Sequence, residues 1–353
     1  MKDTLATNRR ALLQAAAVLG VTMTPALMKD ALAQASAAPK TKNLIDVHRH
    51  FAVAAVSQAA EAATGAGGGA GTNTRSIEAL LDDMDKGGVK IGVLSTGTEA
   101  PFKNPATKVA TCRKLNEDMA KARSDHPGRF GIFANLPVPD IDATLKEIEY
   151  AFDTLKADGV HMFSNIGGKW FGDVSLGPIY AELNRRKAVI KTHPAVNECC
   201  SFKSLDELVG SGVVELGTDS MRAITMTLFS GTAAKYPDMK IIWSHNGGSL
   251  TSMVERFFYA YGSDPKWKTA LPNGVEHELK KFYFDTAQAY HPVTLQGIKE
   301  LAGVPNIMFG TDYAFRTALE TILAIEKSNV FNAAELAAIG SGNARKLLPN
   351  LPA

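Results

Sequence analysis

The sequence of 353 residues contains little cysteine: Cys112, Cys199 and Cys200 are the three in the chain. Neighbouring cysteines rarely form a disulfide with each other, because the ring that joins them is strained. We therefore expect no structural disulfide. Zinc binding by Cys199 and Cys200 is the alternative, but the chain lacks the CxxC spacing and the second cysteine pair that such sites use. The absence of both features favours cysteines that are packed as free thiols and bind no metal.

An excess of charge of one sign is also missing. Lys and Arg number 38 and Asp and Glu number 36, which gives a formal net charge of +2. The first 33 residues hold four of the basic and two of the acidic residues, so the remaining chain is balanced at 34 of each. Nucleic-acid binding surfaces are strongly basic. We therefore expect no nucleic-acid partner.

Long apolar runs are absent as well. After residue 33 no stretch reaches the roughly 20 apolar residues that a transmembrane helix needs. The run 11–27 contains three polar side chains and a proline. It is too polar and too short to favour the competing interpretation, an uncleaved membrane anchor.

The N-terminus has the pattern of a targeting segment instead. Arg9-Arg10 precedes the weakly apolar run, and Ala31-Leu32-Ala33 forms a small-x-small cleavage site. We interpret residues 1–33 as a twin-arginine-type signal peptide and residues 34–42 as a spacer. These segments predict export to a bacterial periplasm and no membrane contact after processing.

Beyond residue 42, short β-rich runs alternate with segments of helical period. The predicted strands lie at 44–48, 89–95, 130–136, 159–163, 188–193, 240–245, 282–286 and 306–312. The helical segments include 76–86, 141–157, 178–186 and 221–236. This regular order predicts an α/β fold over residues 43–353, a closed parallel (β/α)8 TIM barrel rather than an open sheet. We interpret the glycine-rich stretch 65–71 as a loop over the barrel mouth.

Two histidines close the first predicted strand, in the stretch Ile45-Asp46-Val47-His48-Arg49-His50. Successive strand side chains alternate between faces, so His48 and His50 point the same way and Arg49 points oppositely. Two imidazoles on one face are half of a metal site, although histidines at this spacing also occur as ordinary strand residues.

Other predicted strands end in similar residues. His193 ends strand 5, His245 ends strand 6 and Asp312 ends strand 8, in a chain with eight histidines. In a (β/α)8 barrel the carboxyl ends of the strands carry the active site. Imidazoles together with a carboxylate suit Zn²⁺ or a similar divalent ion and leave a position open for water or substrate.

With these motifs the chain resembles the amidohydrolase superfamily, in particular the amidohydrolase 2 branch that contains aminocarboxymuconate-semialdehyde decarboxylase and 6-methylsalicylate decarboxylase. The resemblance runs from about Asn43 to the C-terminus. The stretches that carry it are Ile45 to Phe51, Thr192-His193-Pro194, Ile241 to Gly248, Phe309-Gly310-Thr311-Asp312-Tyr313, Asp219 to Arg222 and Tyr283 to Ala287.

The resemblance implies roles for these residues. His48, His50, His193 and Asp312 match the family's metal ligands, and His245 matches the histidine that polarises the metal-bound water. Superfamily members with two metals carry a carboxylated lysine after strand 4. The corresponding stretch, Phe163-Ser164-Asn165, has no lysine. We therefore expect one divalent metal ion, with zinc favoured.

The family's decarboxylases also bind the substrate carboxylate with an arginine from the neighbouring subunit, about eleven residues after the strand-6 histidine. Arg256 stands at that spacing, which implies a homodimer and a small-molecule carboxylate substrate. A guanidinium fork matches a carboxylate bidentately. The alternative is a helix-surface salt bridge with Glu255 or with a neighbouring turn. Arg222 is a second candidate for substrate binding, or it fixes a loop.

Two features depart from the family pattern or are unusual. Residues 52–55, Ala-Val-Ala-Ala, replace the proline and aromatic residues that commonly wall the family's pocket. Lys191 shares the inward face of strand 5 with His193, where an unpaired ammonium is costly. It pairs with Asp46 or Asp285, or else the strand starts later than expected.

The favoured reaction is nonoxidative decarboxylation of a small aromatic or unsaturated carboxylic acid, with His245 and Asp312 as the catalytic residues that move the proton. The alternative is hydrolysis of a lactone, ester or amide by metal-bound hydroxide, which uses the same ligands. A third class, an exported binding protein without activity, would be marked by a lost ligand, and no ligand is lost.

Overall fold

The computed structural model describes residues 38–51, 76–166, 168–195 and 207–353. By internal contacts the chain divides into the units Met1–Lys40 and Thr41–Ala353, and the described elements belong to the second. The predicted signal peptide, the glycine-rich loop and the Cys199-Cys200 pair lie outside the described residues. Cys112 is a buried free thiol.

Eight parallel strands form one sheet that follows the order of the chain. They are β1 (Leu44–His50), β2 (Val89–Ser95), β3 (Phe130–Asn135), β4 (Gly159–Phe163), β5 (Val189–His193), β6 (Lys240–Trp243), β7 (Tyr283–Asp285) and β8 (Ile307–Met308). A separate antiparallel hairpin pairs Asn165–Ile166 with Lys169–Trp170. The predicted (β/α)8 barrel is confirmed.

Helices surround the sheet in the described part of the chain. They are α1 (Ile77–Gly87), α2 (Pro105–Asp125), α3 (Ile141–Glu149), α4 (Gly177–Arg185), α5 (Ser211–Phe229), α6 (Thr232–Lys235), α7 (Leu250–Ser263), α8 (Trp267–Ala270), α9 (Val275–Leu279), α10 (Pro292–Ala302), α11 (Ala318–Lys327), α12 (Ala333–Ala337) and α13 (Asn343–Leu347). Short 3-10 turns lie at Ala100–Phe102, Val174–Leu176, Ser244–Gly247 and Val304–Asn306, and π turns at Tyr150–Thr154 and Ala338–Gly342. Side chains cap several helix starts: Ser76 accepts from the Ala79 amide, and Asn332 with Glu335 forms a capping box. None of the described helices is long and apolar enough to cross a membrane.

The barrel closes through backbone hydrogen bonds between β1 and the segment that follows β8. The amide of Val47 donates to the carbonyl of Phe309 at 3.0 Å, and that of Asp312 donates to the carbonyl of His48 at 2.9 Å. The amide of His50 donates to the carbonyl of Tyr313 at 2.9 Å. This closing seam places both histidines of β1 beside Asp312.

The lower part of the barrel interior is apolar. Its buried side chains include Ile45, Val47, Ile91, Val93, Phe133, Val189, Ile242 and Met308. A larger apolar cluster packs the helices against the outside of the sheet. Because these side chains fill the barrel, it is a packed core rather than a pore, and the polar inward residues collect at the carboxyl ends of the strands.

Arg49 points away from the two histidines, as the strand alternation predicts. Its guanidinium lies 2.9 Å from Asp46 and 2.5 Å from Asp83 of α1, and it donates to the Leu80 carbonyl at 3.1 Å. Arg49 is completely buried. A buried guanidinium without a partner would be strongly destabilising. The contacts with Asp46, Asp83 and the Leu80 carbonyl therefore explain how Arg49 can be buried between the two histidines.

Candidate metal centre

The five residues predicted at the carboxyl ends of the strands converge on one centre. The imidazole centroids of His50, His193 and His245 lie 4.9, 5.2 and 5.0 Å from that of His48. Ligand atoms of His48, His193, His245 and Asp312 all lie within 4.8 Å of one another. The structure therefore brings together residues that are separated by most of the sequence.

His50 lies at the edge of this group. Its Nε2 is 2.6 Å from Oδ1 of Asp312, and its ring centroid is 4.9 Å from that of His193. The mutually close set thus includes His245, which was expected to be catalytic, and does not include His50, which was expected to be a ligand. All five residues face the same centre, and the division of roles among them stays a prediction.

Two buried Nε2 atoms at the centre make no hydrogen bond. They are Nε2 of His193 and Nε2 of His48, the latter 3.2 Å from Oδ1 of Asp312. Their opposite nitrogens are occupied: Nδ1 of His48 lies 2.9 Å from Asp285, and Nδ1 of His193 lies 2.8 Å from the carbonyl of Pro194. Those acceptors fix the proton on Nδ1 and turn the lone pair of Nε2 to the centre. Metal-bound histidines have this arrangement, so the donor set fits a divalent metal.

Burial keeps His50 and His193 neutral. Desolvation lowers the pKa of His50 to about 4 and holds that of His193 well below its usual range. For Asp312 burial opposes ionisation, but the His48 charge and hydrogen bonds from the imidazoles hold its pKa well below the ordinary value. Neutral imidazoles and an ionised carboxylate are the states that bind a metal.

Lys191 is buried in the same region. Its Nζ lies 3.3 Å from Oδ2 of Asp285, 2.7 Å from Oγ of Ser244 and 2.8 Å from the carbonyl of Thr192. Of the two expected partners, Asp285 is therefore the one it contacts. Desolvation lowers the pKa of Lys191, and the carboxylate of Asp285 opposes this. For His48, burial and Lys191 lower the pKa, but Asp285 and Asp312 outweigh them and raise it.

Three residues at the centre adopt the left-handed backbone region: His245 with φ 55°, Gln288 with φ 49° and Asp312 with φ 65°. Each such residue costs on the order of 1–3 kcal/mol, and such residues cluster at functional sites. Gln288 donates its side-chain amide to Oδ2 of Asp312. Sequence reasoning missed Gln288, because no spacing or motif singles it out.

Gly310 is required by close packing at the same place. A Cβ on this residue would lie 2.9 Å from Cβ of His48 and 3.0 Å from Cβ of Asp285. A larger residue would therefore displace His48 or Asp285.

Aromatic side chains lie at the opening of the site. Phe315, which is 43% exposed, has its ring 6.4 Å from that of His50, and Phe163 lies 6.1 Å from His193. His245 is the most accessible of the imidazoles near Asp312, with 13% of its side chain exposed. Residues 52–55, which replace the family's aromatic pocket wall, lie outside the described residues; β4 and the segment after β8 supply these two aromatic side chains.

Neither predicted substrate-binding arginine contacts the centre within the described part of the chain. Arg256 is exposed on α7, and Arg222 is half-buried on α5. Neither makes a hydrogen bond or ion pair with the described residues, and the surface salt bridge of Arg256 with Glu255 is not formed. Among the residues that the structure describes, nothing therefore occupies either guanidinium group.

The comparison with known proteins agrees with this geometry. The chain is 33% identical to the 6-methylsalicylic acid decarboxylase of Penicillium expansum over 87% of this chain and 96% of that protein. Its fold matches the crystal structure of 2,6-dihydroxybenzoate decarboxylase from Rhizobium, with a TM-score of 0.76 and 19% identity, over 88% of this chain and 99% of that one.

A second similar structure contains a metal. The dihydroxybenzoic acid decarboxylase of a Polaromonas species, with bound manganese and the inhibitor 2-nitroresorcinol, matches with a TM-score of 0.73 and 19% identity, over 88% of this chain and 97% of that one. The family model described as amidohydrolase matches residues 45–349 of the present chain, which is nearly the whole barrel. The chain therefore belongs to the amidohydrolase family.

Proposed function

We propose that this protein is a metal-dependent nonoxidative decarboxylase of a small aromatic acid with a hydroxyl group next to the carboxylate. The observation that carries the proposal is that Nε2 of His48 and Nε2 of His193 make no hydrogen bond and lie with Asp312 and His245 in one centre. The substrates named for the relatives, 6-methylsalicylic acid and 2,6-dihydroxybenzoate, share the neighbouring hydroxyl and carboxylate groups.

His48, His50, His193 and Asp312 would hold one divalent ion, whose chemistry is to bind the substrate oxygens and withdraw electrons from the ring. In decarboxylation the bond from the ring carbon to the carboxylate breaks, CO₂ leaves, and a proton takes its place. Nε2 of His245 lies 3.4 Å from Oδ2 of Asp312. This pair can hold that proton beside the open side of the site and deliver it to the ring carbon.

The identity of the ion is part of the proposal. Three imidazoles and one carboxylate suit zinc, and manganese, which the Polaromonas enzyme binds, also accepts imidazole and carboxylate ligands. We favour one zinc ion per chain. Elemental analysis of active protein should find one equivalent. Two equivalents, or manganese alone supporting turnover, would overturn the zinc assignment.

We further propose that the protein is a homodimer in which Arg256 binds the carboxylate in the partner's site. Arg256 lacks a partner among the described residues, and the same helix exposes Tyr259 to 77%. Helix α5, which packs against α7, exposes Val213 to 67%. Exposed apolar residues on two adjacent helices favour an interface there.

The reaction is tested by incubating zinc-loaded protein with 6-methylsalicylate and recording CO₂ release and ultraviolet absorbance. We expect decarboxylation, and turnover should be lost in His193→Ala together with the metal. His277→Ala, which removes an exposed histidine on α9, is the matched control and should keep both. Hydrolysis of lactones or esters without any CO₂ release from aromatic acids would refute the proposal.

The location is a separate proposal. The Arg9-Arg10 pair and the Ala31-Leu32-Ala33 site support periplasmic export by the twin-arginine route with cleavage after Ala33. This route carries folded proteins, which suits an enzyme that acquires its metal before export. N-terminal sequencing of periplasmic protein should begin at Gln34. Full-length protein found in the cytoplasm alone would contradict it.

A further inference from the structure

Lys191 is a charged group that the proposed reaction does not use. It is completely buried on the inward face of β5. Its three nearest acceptors are the carbonyl of Thr192, Oγ of Ser244 and Oδ2 of Asp285, at 2.8, 2.7 and 3.3 Å. An ammonium group has three protons and no acceptor site. Each proton therefore has an acceptor, and one of these is a carboxylate.

The same carboxylate holds a metal-site imidazole. Oδ2 of Asp285 accepts from Nδ1 of His48 at 2.9 Å, and Nζ of Lys191 lies 3.2 Å from that nitrogen. Lys191 and His48 thus compete for one oxygen. A cation on this oxygen reduces the negative charge that Asp285 lends to His48, so the imidazole becomes a weaker donor to a metal.

The charges around the centre add to the effect. With neutral imidazoles, Asp285 and Asp312 contribute two negative charges and Lys191 one positive charge. A divalent ion then leaves the loaded site with one net positive charge. Asp46 pairs with Arg49 at 2.9 Å, and Asp83 binds the same guanidinium on the helix side, so with both carboxylates ionised this separate network has one net negative charge whether or not Lys191 is present. Without Lys191 the loaded site would be neutral.

We propose that Lys191 tunes the metal centre: it weakens metal binding and keeps the loaded site positive, so that the site holds an anionic aromatic carboxylate. Lys191 is a positioning residue, because it acts through Asp285 and His48. The inference rests on the proposed metal-dependent function. It concerns the affinity of the site for the divalent ion and its affinity for the aromatic carboxylate: Lys191 lowers the first and raises the second.

A purely structural role for Lys191 predicts the opposite sign. If the lysine only supported Asp285, its loss would misorient His48. Loss of groups that support metal ligands typically lowers metal affinity by about 10–100-fold. The tuning role instead predicts tighter metal binding in the uncharged variant, so one measured sign separates the two explanations.

The experiment compares wild type with Lys191→Met and Lys191→Gln. Glutamine is the second variant, because it retains a donor for Asp285 without the charge. Zn²⁺ affinity is measured on metal-free protein by competition with a chelator, and salicylate affinity on zinc-loaded protein by calorimetry. We expect Zn²⁺ to bind roughly tenfold tighter and salicylate roughly tenfold weaker in both variants, since removing one charge acts in opposite directions on a cation and an anion.

Lys299→Met is the matched control. Lys299 also bonds a carbonyl and a carboxylate, those of Val330 and Glu335, but in the outer helix layer. It should change neither affinity. Weaker Zn²⁺ binding or unchanged salicylate binding in the Lys191 variants would overturn the tuning role. A wild-type protein that binds no Zn²⁺ or other divalent ion would instead overturn the proposed function itself.

Discussion

Replacing Asp285 by asparagine should destabilise the protein more than any surface change of the same kind. Oδ1 of Asp285 accepts the amides of His245 and Ala287 at 3.0 and 3.1 Å, and Oδ2 faces Nδ1 of His48 and Nζ of Lys191. An asparagine keeps its carbonyl oxygen on the two amides. Its NH₂ group then points at two other donors.

The magnitude follows from what is left unpaired. Breaking a buried ion pair by removing one partner costs about 3–5 kcal/mol, and an unsatisfied buried donor costs about 1–3 kcal/mol more. We therefore expect Asp285→Asn to lower the free energy of unfolding by about 5 kcal/mol, since the two effects share one oxygen and overlap. Natural domains have about 5–15 kcal/mol in total, so the variant should be marginally stable.

Urea denaturation of metal-free protein measures this loss without a contribution from metal binding. The double variant Asp285→Asn with Lys191→Met removes the unpaired cation and should recover about 2 kcal/mol or more, because contacting residues do not add. Asp82→Asn is the control, since Asp82 pairs with Lys86 at 2.6 Å on the surface, and exposed pairs contribute about 0–1 kcal/mol. A loss below about 1 kcal/mol for Asp285→Asn, or strict additivity in the double variant, would refute the reasoning.

Other consequences of the site are open to direct measurement. His245→Ala should keep the metal and lose turnover by about 100-fold or more; loss of the metal would make His245 a ligand. Arg256→Ala should cost roughly 2–5 kcal/mol in transition-state binding. If Arg256 acts in the partner's site, mixing Arg256→Ala chains with His48→Ala chains should restore activity. Verified mixed dimers without activity would exclude a role for Arg256 in the partner's site. Because the pKa of His50 is about 4 and that of His193 is lowered, these two histidines bind fewer protons in the metal-free fold than in the unfolded chain. The free energy of unfolding should therefore fall as the pH drops from about 6.5 to about 4, by up to ~1.4 kcal/mol per pH unit for each histidine, and the raised pKa of His48 should partly offset this fall. A free energy of unfolding in urea that does not change over this pH range would contradict the prediction. Replacing Arg9 and Arg10 by lysine should stop export, and continued export would exclude the twin-arginine route.

The hydrophobic pattern predicted every barrel strand, but it misplaced several ends. Strand β6 was expected to reach His245 and stops at Trp243, and β8 was expected to reach Asp312 and stops at Met308. His245, with φ 55°, lies two residues after the end of β6, and Asp312, with φ 65°, lies four residues after the end of β8, so neither continues its strand. Such turns are held by tertiary contacts, so the alternation of apolar residues contains no signal for them.

The helices show a similar limit. The segment expected as one helix at 221–236 belongs to two helices, because the chain turns at Gly231, with φ 78°, between α5 and α6. In addition, α5 begins earlier than expected, at Ser211. The expected helix 141–157 ends at Glu149 and continues as a π turn. Periodicity identified these elements, and single backbone conformations determined where they end.

For the site, strand position was enough to bring the histidines and Asp312 together, because side chains at the carboxyl ends of barrel strands share one opening. The sequence also predicted that Lys191 needs a carboxylate, and Asp285 rather than Asp46 provides it. Asp46 is instead engaged by Arg49. Which of two inward carboxylates meets a lysine depends on side-chain direction, and spacing along the chain does not determine it.

The closing seam has a consequence for how the protein is made. His50 and Asp312 lie 262 residues apart in the chain and 2.6 Å apart in space. A ribosome has therefore synthesised all eight strands before the last residue of the centre emerges, and the complete donor set forms when β1 docks against the segment that follows β8. Binding of a metal by all of these residues would therefore follow synthesis of the whole barrel, and the ion would link β1 to the segment after β8, where the barrel closes.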